Sequence, residues 1–214
     1  MAGTILCYGD SNTHGTCPMQ DVDDIRRFGR QQRWPGVLQI KLGPDWNVIE
    51  EGHPGRTTVH PDPVEGVHKN GRAILLAVLE SHRPIDHVIL MLGTNDFKAR
   101  FSVSAMEIAS SIYLLLHDIK HSLSGPDRAA PDILLVCPPP IRETGFLAEM
   151  FAGAAEKSRQ LPQHLLAVAQ SAEVAFLDSG QLIESDGQDG IHLDAKSHAR
   201  LAGAIAVSLE NRQA

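Results

Sequence analysis

The chain has 214 residues, of which 43% are hydrophobic, and a chain of this size can bury one substantial core. We therefore expect one domain over residues 1–214. The formal net charge is −7, from 19 Lys and Arg against 26 Asp and Glu, and no Lys/Arg-rich run offers a surface for a phosphate backbone. This charge pattern argues against a nucleic-acid-binding protein.

The cysteines and the apolar runs indicate a location. Cys7, Cys17 and Cys137 leave one thiol unpaired in any disulfide scheme, which favours a reducing compartment. No apolar stretch approaches the roughly 20 residues that span a bilayer, and the run from Ile5 to Tyr8 is too short for the core of a signal peptide. We expect a cytoplasmic protein that has no membrane partner.

Short apolar runs alternate with longer segments of helical period along the chain. The runs predict five strands, at Thr4–Tyr8, Asn47–Glu51, His87–Leu92, Asp132–Cys137 and Glu173–Leu177. The longer segments predict five helices, at Trp34–Leu42, Gly71–Ser81, Ser104–Ser122, about Phe151–Gln170 and Ala195–Asn211. Consecutive apolar positions within the strands are typical of a parallel sheet covered on both faces. We predict a three-layer α/β/α sandwich around a five-stranded parallel sheet, with its ligand site at the carboxyl ends of the strands.

A serine follows the first predicted strand. The sequence Gly9-Asp10-Ser11 places its hydroxyl where a strand gives way to a loop or helix, which is the exposure that a nucleophile needs. Such a serine also requires a histidine base and usually a carboxylate that orients the histidine. Taken alone, the tripeptide is better explained by an ordinary turn than by a nucleophile.

The chain has 11 histidines, so the base has to be selected by the spacing between acidic residues and histidines. An acidic residue stands three positions before a histidine four times, at Glu50/His53, Glu65/His68, Asp118/His121 and Asp189/His192. The last pair differs in context, because it lies in a glycine-flanked loop between the fifth strand and the last helix. A loop can bring side chains three positions apart together, so that Asp189 holds one imidazole nitrogen of His192 and the other faces Ser11.

Two other loops offer donors for an oxyanion. Gly55 follows the second strand, where its backbone N–H can approach a ligand closely, and Asn95 follows the third, where its amide can donate. The Ser11 N–H would be the third donor for the charge of a tetrahedral intermediate. Each residue alone has an ordinary interpretation, Gly55 as a turn residue and Asn95 as a cap.

The order of these residues resembles the SGNH hydrolases, also called the GDSL family, whose four blocks supply serine, glycine, asparagine and histidine in this order. The resemblance covers nearly the whole chain, and it implies a flavodoxin-like SGNH hydrolase fold. It implies a triad of Ser11, His192 and Asp189, with Ser11, Gly55 and Asn95 as the oxyanion hole. The expected chemistry needs no metal or other cofactor.

The chain departs from the family pattern at two positions. Asn12 stands where the family name has leucine, and Glu51 stands where many members have asparagine, although neither position is expected to perform chemistry. The stretch from Val48 to Thr58 is similar to the bacterial arylesterase and acyltransferase branch. That resemblance implies a homo-oligomer, for example an octamer, in which the segment Asn12–Arg33 forms contacts between subunits. A solvated surface loop is the alternative for this segment.

We therefore expect a serine esterase that hydrolyses short-chain or aryl carboxylic esters, or acetyl esters of carbohydrates, with acyltransfer to alcohols as a second outcome. Phe146, Phe151 and Ile191 are candidates for the walls of its substrate pocket, or else ordinary packing residues. Two alternatives remain: a metal-dependent hydrolase using His117 and His121, and a non-catalytic flavodoxin-like domain that binds a small ligand.

Overall fold

The computed structural model describes residues 3–213, with side chains as far as residue 210. Five strands form the sheet: β1 (Gly3–Gly9), β2 (Trp46–Gly52), β3 (His87–Met91), β4 (Asp132–Cys137) and β5 (Ala175–Asp178). Six α-helices accompany them: α1 (Ser11–His14), α2 (Trp34–Leu42), α3 (Gly71–His82), α4 (Ala105–His121), α5 (Ala154–Ser171) and α6 (Ala195–Gln213). All five predicted strands and all five predicted helices are present.

The sheet has the order β2-β1-β3-β4-β5, and every neighbouring pair is parallel. The predicted α/β/α fold is therefore confirmed, with the strand order of flavodoxin-like sheets. The order reverses between β1 and β3, so the crevice for a ligand lies beyond the carboxyl ends of these two strands. Ser11 follows one of them and Asn95 follows the other.

Two separate apolar cores lie on the two faces of the sheet. Alternate residues of β1, such as Leu6 and Tyr8, face the core that α3, α4 and α5 cover. The intervening residues Ile5 and Cys7 face the second core, which α2 and α6 cover. Side chains on both faces are buried, which explains why the strands carry no alternation of polar and apolar residues.

Capping side chains fix the starts of two helices. The Asn70 side chain accepts a hydrogen bond from the Ala73 N–H at the start of α3. Ser104 and Glu107 form a reciprocal capping box at the start of α4. Each cap satisfies backbone N–H groups that the first turn of a helix leaves without partners.

Two predicted boundaries were wrong, each for a reason visible in the backbone. The predicted fifth strand began at Glu173, but this residue has a φ of 53° and the following Val174 N–H still bonds to the end of α5. The predicted fourth long helix began at Phe151, but Gly153 has a φ of 79° and α5 starts only after it. Among the described residues, no helix is both long and apolar enough to cross a membrane.

Candidate active site

The first strand delivers Ser11 to the start of the short helix α1. The Asp10 carboxylate caps this helix by accepting the Asn12 N–H at 3.0 Å, and Gly15 ends it with a φ of 88°. Ser11 is 5% exposed, so its surroundings leave little room for water. Burial raises the pKa of Asp10 to about 6, although the Asn12 N–H and the nearby His192 act to lower it.

Asp189 and His192 are hydrogen-bonded to each other in the loop that precedes α6. The Asp189 carboxylate accepts the His192 Nδ1–H at 2.6 Å, the backbone N–H groups of Ile191 and His192 at 2.9 Å, and the Met19 N–H at 2.7 Å. Burial acts to raise the pKa of Asp189, but these hydrogen bonds outweigh it and the pKa is lowered. An ionised carboxylate only accepts, so Nδ1 carries the hydrogen and Nε2 has a free lone pair.

Contacts distinguish this pair from the other three acid and histidine pairs that the sequence contains. Glu50 binds three arginines, Glu65 binds a buried lysine, and Asp118 binds an arginine of α3. Asp189 is the one acid of the four that is hydrogen-bonded to its own histidine, His192. The context that selected this pair from the sequence corresponds to a real difference in the structure.

Asn12 joins the end of β1 to the histidine loop, residues 182–194, which carries His192 and precedes α6. Its amide donates to the Ile191 carbonyl at 3.1 Å, and its side-chain oxygen accepts the Leu193 N–H at 3.0 Å. These two residues flank His192 in the sequence, and Ser11 immediately precedes Asn12. The structure therefore brings Ser11, Asp189 and His192 to the same edge of the sheet.

The loops after β2 and β3 meet at the same edge. The Asn95 amide donates to the Arg56 carbonyl at 3.1 Å, next to Gly55, which has a φ of 77°. The Arg56 guanidinium donates to the Gly9 carbonyl at 2.8 Å and lies 4.1 Å from the centre of the Tyr8 ring. Gly55 and Asn95 are thus tied to each other and to the residues that lead into α1.

Sequence reasoning missed Arg56 as a residue of this site. Its side chain is 2% exposed, and it connects the Gly55 loop to β1 through a hydrogen bond and a stacking contact. Arginine is rarely buried without partners, yet burial itself leaves no mark in a single sequence. The one available signal was its place directly after Gly55.

A buried carboxyl also supports the loops at this edge. Asp96 follows Asn95, has no exposed side-chain surface, and accepts hydrogen bonds from both the N–H and the hydroxyl of Thr58. Burial raises the pKa of Asp96 to about 7, the Thr58 hydrogen bonds oppose this, and the charge of Asp10 adds to the rise. The two loops are therefore joined at Thr58 as well as at Arg56.

A cluster of ion pairs lies behind the Gly55 loop. Lys98, which is 3% exposed, pairs with Asp62 at 3.7 Å and with Glu65, and Arg100 reaches the same two carboxylates at 3.2 and 2.6 Å. A Cβ at Gly55 would lie 2.4 Å from the Glu65 carboxylate. The cluster packs directly against the turn that holds Gly55 in its left-handed conformation.

The three candidate pocket residues occupy different environments. Phe151 is 2% exposed and Ile191 is 3% exposed, and both pack in the core under α4 and α5, whereas Phe146 is 40% exposed. A cavity of about 430 Å³ lies beside the histidine loop, but its lining consists mainly of polar residues between 180 and 200 and does not include Ser11. The role of these three residues in a pocket stays a prediction.

The histidines of the metal-hydrolase alternative contact each other on α4. The rings of His117 and His121 stack with their centres 4.1 Å apart, and the His121 ring nitrogen Nδ1 lies 2.7 Å from the His117 carbonyl oxygen. The neighbouring Asp118 accepts two hydrogen bonds from the Arg72 guanidinium. Within residues 3–213, no group of three or more His, Cys, Asp or Glu side chains is arranged to hold a metal ion.

The segment Asn12–Arg33 is folded against β2. Arg27, Arg30 and Arg33 surround the Glu50 carboxylate, and a backbone bridge joins residues 16 and 27. The tip of the segment exposes Val22 and Ile25, which are 77% and 92% exposed. Whether this segment contacts another subunit stays a prediction.

Comparison with known proteins identifies the family. The model of the GDSL-like lipase/acylhydrolase family matches residues 7–200 of this chain. The chain belongs to this family. It is therefore a carboxylic ester hydrolase, as the sequence predicted. A comparison with curated protein sequences gave no significant match.

Several solved structures of the family are similar to this chain over its whole length. An aryl esterase from M. smegmatis is 38% identical with a TM-score of 0.93, over 98% of this chain and 99% of that one. A carbohydrate acetylesterase from Sinorhizobium meliloti gives the same identity, TM-score and coverage. A putative arylesterase from Agrobacterium tumefaciens is 33% identical with a TM-score of 0.88, over 98% and 99% of the two chains.

Proposed function

We propose that the chain hydrolyses carboxylic esters through an acyl-enzyme on Ser11. His192 Nε2 takes the Ser11 hydroxyl proton as Oγ attacks the acyl carbon, and the carbonyl electron pair moves onto oxygen. When the tetrahedral intermediate collapses, His192 returns the proton to the departing alcohol. A water molecule then attacks the acyl-enzyme and gives one proton to His192, which passes it to the departing Ser11 Oγ as the acid is released.

The observation that carries this proposal is the hydrogen bond from His192 Nδ1 to an ionised Asp189. It holds the imidazole in the tautomer that leaves Nε2 basic, and it stabilises the imidazolium that forms during attack. Asn12, the residue next to Ser11, bonds to both neighbours of His192 in the same loop. A nucleophile, a base and an orienting carboxylate are therefore supplied in one place.

The oxyanion is met by three donors in this proposal: the backbone N–H groups of Ser11 and Gly55, and the Asn95 side-chain amide. An amide NH2 has two hydrogens, and the Arg56 carbonyl uses one of those on Asn95, so the other remains for a ligand. The bond to Arg56 also fixes the direction of the amide. Donors that are held before the reaction contribute several kcal/mol to the transition state.

The proposed substrates are small esters: short-chain or aryl esters, or acetyl esters of carbohydrates. The related structures support both classes, because they include aryl esterases and a carbohydrate acetylesterase. Acyltransfer to an alcohol follows the same path when an alcohol replaces water in the second half of the reaction.

The proposal includes a cytoplasmic location and a homo-oligomeric assembly. Cys7, Cys17 and Cys137 are all free thiols, which agrees with a reducing compartment. The exposed apolar side chains Val22 and Ile25 suit a contact between subunits better than contact with water.

A fluorophosphonate probe tests the mechanism on the wild type, on Ser11→Ala and on chelator-treated protein. We expect labelling and ester hydrolysis to disappear in Ser11→Ala and to survive the chelator. His192→Ala should reduce kcat by orders of magnitude, whereas His121→Ala, on α4, should leave it unchanged. Hydrolysis that survives Ser11→Ala but not the chelator would favour the metal-dependent alternative instead.

A further inference from the structure

We propose that Asn12 is a positioning residue, which holds the histidine loop at the correct distance and angle from Ser11. This inference rests on the proposed function, since it assigns a task relative to Ser11 and His192. It concerns the position at which this chain departs from the leucine of the family name.

The Asn12 side chain is built into the structure as a two-way bridge. It is 1% exposed, and both of its polar atoms are used, the NH2 group by the Ile191 carbonyl and the oxygen by the Leu193 N–H. The two bonded residues lie directly before and after His192. A leucine has the same number of side-chain heavy atoms and the same branching at Cγ, but it is larger and neither donates nor accepts, so it removes the bridge.

The histidine loop determines its own internal shape but not its position against β1. Asp186 and Gly190 bond to each other through the backbone, the Asp186 N–H bonds to the His192 carbonyl, and Asp189 binds the N–H groups of Ile191 and His192. These contacts make the loop a rigid unit. Its placement comes from bonds to two other segments: residues 140–144, which bond to Ser185, Gly187 and Gly190, and the segment that follows β1.

Four hydrogen bonds connect this unit to the segment that follows β1, and two of them come from Asn12. The other two are the Met19 N–H to Asp189 and the Gln188 side-chain amide to the Pro18 carbonyl, and both lie seven or eight residues beyond Ser11 along the chain. Asn12 is adjacent to Ser11 and belongs to the same capped turn, in which its own N–H bonds to Asp10. The two Asn12 bonds are therefore the most direct link between Ser11 and the histidine loop, and we expect their loss to shift His192 relative to the Ser11 hydroxyl.

Proton transfer between two side chains depends steeply on their geometry, and a displacement near 1 Å can reduce the rate roughly 100-fold. Loss of the bridge should therefore affect the chemical step more than substrate binding. The Asp189–His192 hydrogen bond lies within the loop, so it should survive when the bridge is lost. This combination distinguishes a positioning residue from one that only stabilises the fold.

The experiment compares Asn12→Leu with Gln39→Leu as a matched control. Gln39, on α2, is also a bridging amide, but its partners Gly43, Trp46 and Val48 lie around the amino end of β2. We expect Asn12→Leu to lower kcat and the rate of fluorophosphonate inactivation together, roughly 10- to 100-fold, with KM nearly unchanged. Gln39→Leu should change neither rate.

Proton NMR reports whether the catalytic pair itself survives. The strongly downfield signal of the His192 Nδ1 proton should persist in Asn12→Leu, because Asp189 still accepts it. A folded Asn12→Leu protein with kcat and inactivation rate equal to wild type would overturn the inference. Ester hydrolysis that survives Ser11→Ala would overturn the proposed nucleophile, and this inference with it.

Asn12→Asp keeps the test decisive if the leucine variant does not fold. A protonated carboxyl has one donor and one acceptor, as the amide has, whereas an ionised carboxyl turns two acceptors towards the loop and faces the Ile191 carbonyl with one of them. The kcat of Asn12→Asp relative to wild type should therefore be highest at acidic pH and fall as the pH rises. A ratio that does not change with pH would overturn the inference.

Discussion

Replacing Asp189 with asparagine tests the proposed catalytic pair of Asp189 and His192 most directly, because the structure predicts which way the new amide must turn. One oxygen of Asp189 accepts the Ile191 and His192 N–H groups, and the other accepts the Met19 N–H and the His192 ring. An amide can replace one of these oxygens by NH2 but not both. One pair of donors must then face a group that also donates.

The two orientations of the amide have unequal energies. If NH2 faces Ile191 and His192, two backbone N–H groups lose their acceptor; if it faces Met19 and the His192 ring, only the Met19 N–H does, because the ring can change tautomer. Each buried donor without a partner costs about 1–3 kcal/mol, so the second orientation is favoured by about that amount. The variant should fold, with a free energy of unfolding lower by about 1–3 kcal/mol, the cost of the unpaired Met19 N–H.

The favoured orientation inactivates the base. The amide donates to Nδ1 of His192, so the ring hydrogen moves to Nε2 and no lone pair faces Ser11. In serine hydrolases the wrong tautomer lowers kcat by about 10⁴-fold, which corresponds to about 5 kcal/mol of transition-state stabilisation. Steady-state hydrolysis of p-nitrophenyl acetate measures this loss, and urea denaturation measures the stability.

A carboxylate in the same loop provides the control. Asp186 accepts the Gln188 N–H at 2.8 Å but has no contact with the imidazole, so Asp186→Asn should retain kcat. If Asp189→Asn is folded and keeps kcat within about tenfold of wild type, Asp189 does not select the tautomer of His192 and the triad is wrong.

Three further predictions concern the supports of the site. Burial raises the pKa of Asp96 to about 7, so the folded protein keeps a proton that the unfolded chain releases. The free energy of unfolding should therefore fall as the pH rises from 4 to 7. Asp96→Asn should reduce the slope of this decrease by up to about 1.4 kcal/mol per pH unit, as measured by urea denaturation. An unchanged slope would show that Asp96 ionises in the folded protein as it does in the unfolded chain. Gly190→Ala should abolish hydrolysis, since its Cβ would lie 1.7 Å from a backbone carbonyl oxygen. The control is Gly153→Ala, at a similar positive φ but with open space around it. It should cost only about 1–2 kcal/mol of stability and keep its activity. Equal effects would mean that the histidine loop tolerates displacement. Ser104→Ala should remove the capping box of α4 and lower the free energy of unfolding by about 1 kcal/mol, with kcat unchanged. A fall in kcat without a loss of stability would contradict a purely structural role for this cap.

The sequence predicted the parts of this protein that depend on local pattern. Strands such as Val88–Leu92 were readable because a sheet buried on both faces requires apolar residues at every position. The caps at Asn70 and Ser104 have the same local character, because their hydrogen bonds join residues three apart. Asp189 and His192 were selected for the same reason, since a pair three apart in a loop needs no knowledge of the rest of the fold.

Contacts between distant segments could not be predicted from the sequence. Arg56 and Lys98 are long charged side chains whose burial depends on carboxylates and carbonyls contributed by other loops. Asn12 was noticed as a departure from the family pattern, but its partners are near residue 192 and no spacing rule connects them. These contacts depend on the paths of irregular loops, residues 53–66 for Arg56 and Lys98 and the loop before α6 for Asn12, and irregular segments carry little periodic signal.

The bridge between Asn12 and the loop around His192 also has a consequence for the order of folding. It joins residues 179 and 181 positions apart, whereas the sheet is already complete when β5 ends at Asp178. Contacts of such long range form late, because their entropy loss precedes any gain. In the proposed mechanism, a nascent chain therefore displays Ser11 early, and Ser11 gains His192 as its base only when the loop before the last helix closes against β1.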